Sequence, residues 1–327
     1  MHGDSLLPVS AANIPDDVRL LHDALQALQA HRTQTLDLKN CGTAMRFLTA
    51  YCAQRQGCDV VLTGTERMKQ RPIGQLVAAL QTLGAYIEYR GKEGYPPLHI
   101  RGKELSRKAV HIADPQSTQF VSALLLTGVP VTTNSHSPYI RMTCSLCRKF
   151  TNLQTYKFTN SSIESDWSAA AFWYEYTALH GGTLSLRGLQ RDSLQGDKVV
   201  ADLFTRFGVR TVYQPDGITI SKDNTECKNI MEIAFDFTSC PDLYPAVAIT
   251  CEQLGIPLVA TGTESLRIKE SDRLQAVAEQ RVCADHRIAM ALLAADLPCD
   301  DVACIAKSYP DFYRQLCVLN GSSRAGV

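Results

Sequence analysis

Two compact clusters of charge stand near the end of the chain, Lys269-Glu270-Ser271-Asp272-Arg273 and Asp285-His286-Arg287. Lys269 and Arg273 are one helical turn apart and would share a face. A guanidinium presents a planar fork of donors that fits carboxylates and phosphates through paired hydrogen bonds. Glu270 lies beside Lys269, and Asp242 follows Pro241 at the head of an apolar helical pattern carrying Leu243, Val247 and Ala248. Carboxylates among cations can act as general acids or bases, with pKa values set by those neighbours. The combination fits proton transfer on an anionic substrate. Taken singly, each residue also has a plainer reading, as a solvated surface charge or a helix cap.

Three other segments have related chemistry. In Asn40-Cys41-Gly42-Thr43, Asn40 and Thr43 are expected to cap a helix beginning near Thr43, and Gly42 leaves the backbone open to a ligand. Free N–H groups at such a helix start attract anions. Ser117, Thr118 and Gln119 stand before a second apolar helix and offer two hydroxyls and an amide. Arg71, at the end of TERMKQR, and Lys307, in CIAKSYP, add cations.

The elements that must position these residues repeat along the chain. Residues 58–102 read as a strand (Asp59–Leu62), a helix from about Pro72 closing at Leu83-Gly84, and two strands (Ala85–Tyr89, Leu98–Arg101). Residues 181–222 repeat the order: a strand (Thr183–Arg187), a helix carrying Leu194, Val199, Leu203 and Phe207, a stop at Gly208, and a hairpin around Pro215-Asp216-Gly217. A third copy opens with a strand at Leu258–Thr261 and a helix from Lys269, then runs into residues 281–287 without a hairpin. A similar shortening follows residues 137–150. These patterns predict an α/β chain of repeated units, some incomplete.

Composition narrows the field. Lys plus Arg equals Asp plus Glu at 33 each, which argues against a nucleic-acid binder. The longest apolar run, 120–131, is too short and too rich in Ser and Thr to span a bilayer. The segment MHGDSLLPVSAANIPDD has neither a basic n-region nor an apolar h-region, so a cytoplasmic location is expected. Twelve cysteines then read mostly as reduced, buried hydrophobes. A single CxxC, Cys144 to Cys147, lacks the second pair a zinc site wants.

In order along the chain, these segments resemble the 5-enolpyruvylshikimate-3-phosphate synthase (3-phosphoshikimate 1-carboxyvinyltransferase) family. NCGTAMRFLTA is similar to its N-A-G-T-A-M-R motif, GTERMKQRPIGQL to R-M-x-x-R-P-I-x-x-L, and QSTQ to S-S-Q. IESDWSAA is similar to the E-x-D-x-S-S-A hinge segment. RIKESDR, DHRIAM and AKSYPDF resemble K-E-x-D-R, D-H-R-M-A-M and K-x-F-P-x-F. The resemblance implies a two-domain enolpyruvyl transferase fold of βαβαββ repeats, an inside-out α/β barrel, with domains at 1–161 and 162–327. It also implies a monomer that uses no metal or other cofactor. Its substrates would be phosphoenolpyruvate and shikimate 3-phosphate, with enolpyruvyl transfer to the 5-hydroxyl and release of phosphate, a step toward chorismate and the aromatic amino acids.

By the same resemblance, Asp242 would accept the hydroxyl proton, and Glu270 with Lys269 would handle protons at the phosphoenolpyruvate end. Gly42, Arg71, Gln119, Arg273, Arg287 and Lys307 would bind phosphoenolpyruvate. Ser117, Thr118, Gln119, Tyr139, Asp242, Ser265 and Lys269 would hold shikimate 3-phosphate, with Asn40, Thr43 and His286 nearby.

The chain departs from the family pattern in several places. Thr118 replaces a second Ser, Ser265 replaces an Asn, and His136 stands at the position of a substrate-binding Ser, beside Ser135. The family's opening G-S-K-S-x-S-N-R segment has no counterpart in residues 1–26, which resemble its later D-D-V-R-x-L helix (Asp16 to Leu21). The expectation is therefore an N-terminally shortened member. Two alternatives stand beside it: a remnant that binds anions without turnover, and a relative of UDP-N-acetylglucosamine enolpyruvyltransferase.

Overall fold

A computed structural model describes residues 14–29, 34–151, 163–222 and 230–321. The chain divides into two compact units, Met1–Arg148 and Lys149–Val327. The boundary expected at 161/162 falls in 152–162, outside the described residues.

The first unit begins with α1 (Asp16–Gln29), then β1 (Gln34–Asp37), α2 (Gly42–Gln54), β2 (Asp59–Thr63), α3 (Gly74–Thr82), β3 (Tyr86–Tyr89) and β4 (Leu98–Arg101). The sheet order is β1-β2-β4-β3, with β1 and β2 parallel and the other pairs antiparallel. Alternation along the strands buries Val60, Leu62, Ile87, Leu98 and Ile100 in one core with Leu48 of α2 and Leu76, Val77 and Leu80 of α3. The opposite face holds polar groups, with His99 Nε2 2.7 Å from Asp59 and Nδ1 3.3 Å from Glu88. Gly84 ends α3 at φ 95°, a left-handed conformation that suits glycine. The helix starts two residues later than Pro72, because the Ile73 N–H is tied to the Gly94 carbonyl at 2.9 Å and Ile73 serves as N-cap.

The chain continues with β5 (Val110–His111), α4 (Thr118–Leu126), β6 (Val131–Thr132) and α5 (Pro138–Thr151). β5 and β6 form a two-stranded parallel sheet. α5 is joined to α4 by a buried hydrogen bond between the Ser122 and Thr143 hydroxyls at 2.8 Å.

The second unit opens with α6 (Trp167–His180), followed by β7 (Gly182–Arg187), the single turn α7 (Val200–Leu203) between two 3-10 turns, β8 (Val209–Gln214) and β9 (Gly217–Lys222). These strands order as β7-β9-β8, all antiparallel. Leu194 precedes the helical stretch and is exposed, so the expected helix is shorter than its apolar spacing suggested. β10 (Ile233–Asp236), α8 (Tyr244–Gln253) and β11 (Leu258–Thr261) make a parallel pair of strands with a crossover helix. α9 (Arg273–Ala278), α10 (His286–Ala294) and α11 (Phe312–Leu319) complete the unit.

The helix expected from Lys269 begins at Arg273. Residues Glu264–Ile268 form a 3-10 turn, Lys269 is extended, and Asp272 caps α9. The return to α10 is short, with Gln280, Cys283 and Ala284 at positive φ. α6 is buried along most of its length, packing Trp167, Phe172, Trp173 and Tyr174 into a core shared with α8 and α10. Among the described residues no helix is long and apolar enough to cross a membrane.

Candidate active site

In the second unit, ends of different elements converge on Asp242. Pro241 suits the first position of a 3-10 turn and brings Asp242 to the head of α8. Arg273 is the first residue of α9, Arg287 the second of α10, and Lys269 lies on the extended link before α9. Asp242 Oδ1 is 2.6 Å from Arg273 NH1 and 3.3 Å from Lys269 Nζ, and Oδ2 is 3.0 Å from Arg287 NH2. Glu270 extends the network, with Oε2 3.1 Å from Arg273 and Oε1 3.6 Å from Lys307 Nζ.

Arg273 is only 1% exposed. Such a charge survives burial only when paired and hydrogen-bonded. Besides Asp242 and Glu270, its Nε donates to Asp285 Oδ2 at 2.8 Å. Asp285 also accepts from the Ser271 hydroxyl at 3.0 Å and caps α10 by accepting from the Arg287 N–H at 3.1 Å. Four cations (Lys269, Arg273, Arg287, Lys307) thus meet three carboxylates (Asp242, Glu270, Asp285) in one ion-pair network.

Burial alone would raise the Asp242 pKa, but Arg287, Lys269 and Arg273 outweigh it and hold the carboxyl well below the usual range. His286 is pushed down to about 3, first by burial and then by the Arg287 charge, so its imidazole is neutral. Its Nδ1 has no hydrogen-bond partner among the described residues.

Asp197, absent from the sequence expectations, belongs beside this network. It sits in the 3-10 turn Gly196–Val199, fully buried, and accepts from the Ser168 hydroxyl at the start of α6. Burial and the neighbouring Asp242 charge lift its pKa to about 6 against the pull of Arg287. Asp197 lies within the second repeat, residues 181–222, but nothing in its spacing distinguished it from a turn residue.

A second set of residues lies in the first unit. α2 starts at Gly42, and its N-cap is Cys41, whose Sγ accepts from the Ala44 N–H at 3.4 Å. This corrects the capping expected of Asn40 and Thr43. Thr43 is already helical, and its hydroxyl accepts from Gln119 Nε2 at 2.9 Å. Asn40 lies before the helix, and its Oδ1 is buried without a hydrogen-bond partner among the described residues. Its carbonyl accepts from Arg71 NH1 at 3.5 Å.

A Cβ built on Gly42 would overlap Arg46 NH1 and stand 2.8 Å from both terminal nitrogens of Arg71. Two buried guanidiniums therefore close on the bare start of α2. Arg46 was missed as a site residue, although it lies one turn beyond Gly42, where helical spacing brings it back to the same face. Ser117 caps α4 by accepting from the Gln119 N–H at 3.3 Å, and Thr118 is the first helical residue.

The remaining expected residues are more peripheral in what joins them. Tyr139 begins α5 next to α4, Ser265 is half-buried on the Glu264–Ile268 turn, and His136 is exposed. Among the described residues no group of three or more His, Cys, Asp or Glu is arranged to hold a metal ion. Chemically, the second-unit set can bind anions and exchange protons, and the first-unit set offers cations, hydroxyls and helix N–H groups.

Comparison with known proteins gives a consistent result. Residues 13–281 match the family described as EPSP synthase (3-phosphoshikimate 1-carboxyvinyltransferase). The 3-phosphoshikimate 1-carboxyvinyltransferase of Bacteroides fragilis strain YCH46 is 36% identical over 361 aligned positions, covering 92% of this chain and 86% of the relative. That of Methanosphaerula palustris is 30% identical, covering 96% and 90%. A solved structure of EPSP synthase from Acinetobacter baumannii superposes with a TM-score of 0.62 at 21% identity, covering 88% of this chain and 78% of that one.

Proposed function

The chain belongs to the EPSP synthase (3-phosphoshikimate 1-carboxyvinyltransferase) family, and we propose that it transfers the enolpyruvyl group of phosphoenolpyruvate to the 5-hydroxyl of shikimate 3-phosphate. The observation that carries this reading is Asp242, one carboxylate shared by Lys269, Arg273 and Arg287 from separate segments. We read the two units as the family's two domains, and their partial sheets as βαβαββ repeats, complete in β1 to β4 and shortened elsewhere.

The reaction needs a proton removed from the hydroxyl and another delivered to the methylene carbon. As the 5-oxygen bonds to C2 of phosphoenolpyruvate, Asp242 takes the hydroxyl proton, and Glu270 with Lys269 protonates C3. The resulting tetrahedral adduct carries phosphate on C2. Loss of that phosphate, with return of a C3 proton to the same pair, regenerates the double bond in the product. Arg273, Arg287 and Lys307, with Gly42, Arg71 and Gln119 of the first unit, hold phosphoenolpyruvate. Ser117, Thr118, Gln119, Tyr139, Ser265 and Lys269 hold shikimate 3-phosphate, and Asn40, Thr43 and His286 border these groups. Fixed cations stabilise charge without reorganising at the moment of reaction.

Asp242 is a weak base while three cations neutralise it. Substrate phosphates and carboxylates that recruit Lys269 and Arg287 weaken those ion pairs and return basicity to Asp242. The base therefore becomes competent when the anions arrive. The test is phosphate release by the full chain with both substrates, compared with each alone and with Asp242→Asn. Release should require both substrates and fall about 100-fold or more in the variant, the range of a lost general base. Release without shikimate 3-phosphate, or an undiminished rate in Asp242→Asn, would overturn the assignment.

A further inference from the structure

The turn that carries Lys307 is short, and the residue that follows it is held by side chains from two helices. Lys307 ends the 3-10 turn Ala303–Lys307, and its Nζ lies 3.6 Å from Glu270 Oε1. The Ser308 and Tyr309 N–H groups both donate to the Ile305 carbonyl, at 3.2 and 2.9 Å. Such bonds close a turn without deciding where it sits, because 3-10 geometry is weak and its partners are local. A lysine amine rides on a flexible four-carbon stem, so its placement follows the backbone beneath it. Tyr309 fixes that backbone from outside.

The Tyr309 hydroxyl uses both of its hydrogen-bonding capacities. It accepts from Trp173 Nε1 of α6 at 3.3 Å and donates to Gln315 Oε1 of α11 at 2.7 Å. Burial raises the pKa of the phenol, so the donated proton stays in place. Trp173 is only 4% exposed, and its indole N–H would have little access to water if the hydroxyl were removed. The tyrosine ring meets Trp173 edge-on, with centroids 6.4 Å apart, and lies 5.6 Å from Phe312. In K-x-F-P-x-F, the pattern that AKSYPDF resembles, this position is Phe. Phenylalanine would keep the ring contacts and lose both hydrogen bonds, so the hydroxyl is an addition to the family pattern.

We propose that Tyr309 is a positioning residue for Lys307: its hydroxyl, held between Trp173 and Gln315, sets the turn from which the lysine reaches Glu270. The part Lys307 plays in holding phosphoenolpyruvate rests on the proposed function, whereas its placement by Tyr309 does not.

Two variants test this. Tyr309→Phe restores the residue of the family pattern and should fold, and Gln315→Leu removes the acceptor alone. Limiting acetylation of the full chain with sulfosuccinimidyl acetate, read by mass spectrometry, compares Lys307 with Lys222, whose Nζ donates to the Ala178 carbonyl of α6. In either variant Lys307 should react about 3- to 10-fold faster than in wild type, the factor one hydrogen bond carries, while Lys222 is unchanged. In steady-state phosphate release, the KM for phosphoenolpyruvate should rise by the same factor, with kcat and the KM for shikimate 3-phosphate held within about twofold. Lys307 reacting at the wild-type rate in both folded variants would overturn the proposal. So would a parallel rise of Lys307 and Lys222, which a general loosening around α6 explains. A faster Lys307 with an unchanged phosphoenolpyruvate KM would uphold the placement and refute Lys307 as a ligand of that substrate. Absence of phosphate release by the wild type would refute the proposed function, and acetylation would still decide the role of Tyr309.

Discussion

Replacing Gly42 by Ala tests whether the start of α2 is built for an anion. The added methyl would overlap Arg46 NH1 and lie 2.8 Å from both terminal nitrogens of Arg71. Those atoms are the ends of long side chains, so the fold can accommodate the change by swinging the guanidiniums aside. Alanine also favours helix over glycine by up to about 1 kcal/mol. Stability should therefore hold, and the loss should appear in binding. A charge-assisted hydrogen bond is worth about 1.5–3 kcal/mol and each 1.4 kcal/mol is tenfold, so displacing one guanidinium contact raises the KM for phosphoenolpyruvate about 10- to 100-fold. The assay is steady-state phosphate release against phosphoenolpyruvate concentration, with thermal unfolding measured in parallel. Gly91→Ala serves as the control, since its Cβ meets only Pro97 Cδ at an ordinary 3.5 Å. An unchanged KM in a folded Gly42→Ala protein, or an equal rise in the control, would show that the guanidiniums at Gly42 do not bind substrate.

Two further outcomes follow from the buried charges of the second unit. Arg273→Met leaves Asp285, which has no exposure, without its guanidinium, and should cost about 3–5 kcal/mol in urea unfolding, the range for breaking a buried pair from one side; a cost below about 1 kcal/mol would mean the network contributes little to folding. Glu175 on α6 is fully buried, neither carboxylate oxygen has a hydrogen-bond partner among the described residues, and burial raises its pKa well above the ordinary value. The folded state then binds the extra proton, so this group's contribution is fully present below the unfolded glutamate pKa and is lost as pH rises through the folded one. Relative to Glu175→Gln, the wild type should lose about 1.4 kcal/mol per pH unit across that window. Urea midpoints for the two proteins that run parallel from pH 5 to pH 8 would contradict it.

Much of the local structure was legible in the sequence. The strands at Asp59, Leu98, Val209 and Leu258, and the stops at Leu83-Gly84 and Gly208, follow from alternation, helical spacing and glycine, all set by residues a few positions apart. Helix starts were less legible. Pro72, Thr43 and Lys269 each looked like an opening, yet the helices begin at Gly74, Gly42 and Arg273, because Ile73, Cys41 and Asp272 take the caps. Local propensity admits several starts, and the hydrogen bond from Ile73 to distant Gly94 is one that propensity does not contain.

By itself, the sequence determined the family and the inventory of chemistry: which cations, carboxylates and hydroxyls occur, and in what order. The tertiary structure decided which of them act on each other. Arg273 meets Asp242 across 31 residues and Asp285 across 12, and Gln119 reaches Thr43 across 76. Asp197 and Arg46 were ordinary letters until packing buried one beside Asp242 and the other against Gly42. Ion pairing and pKa depend on distance and on exclusion of water, and both exist only once the chain has closed around the charges.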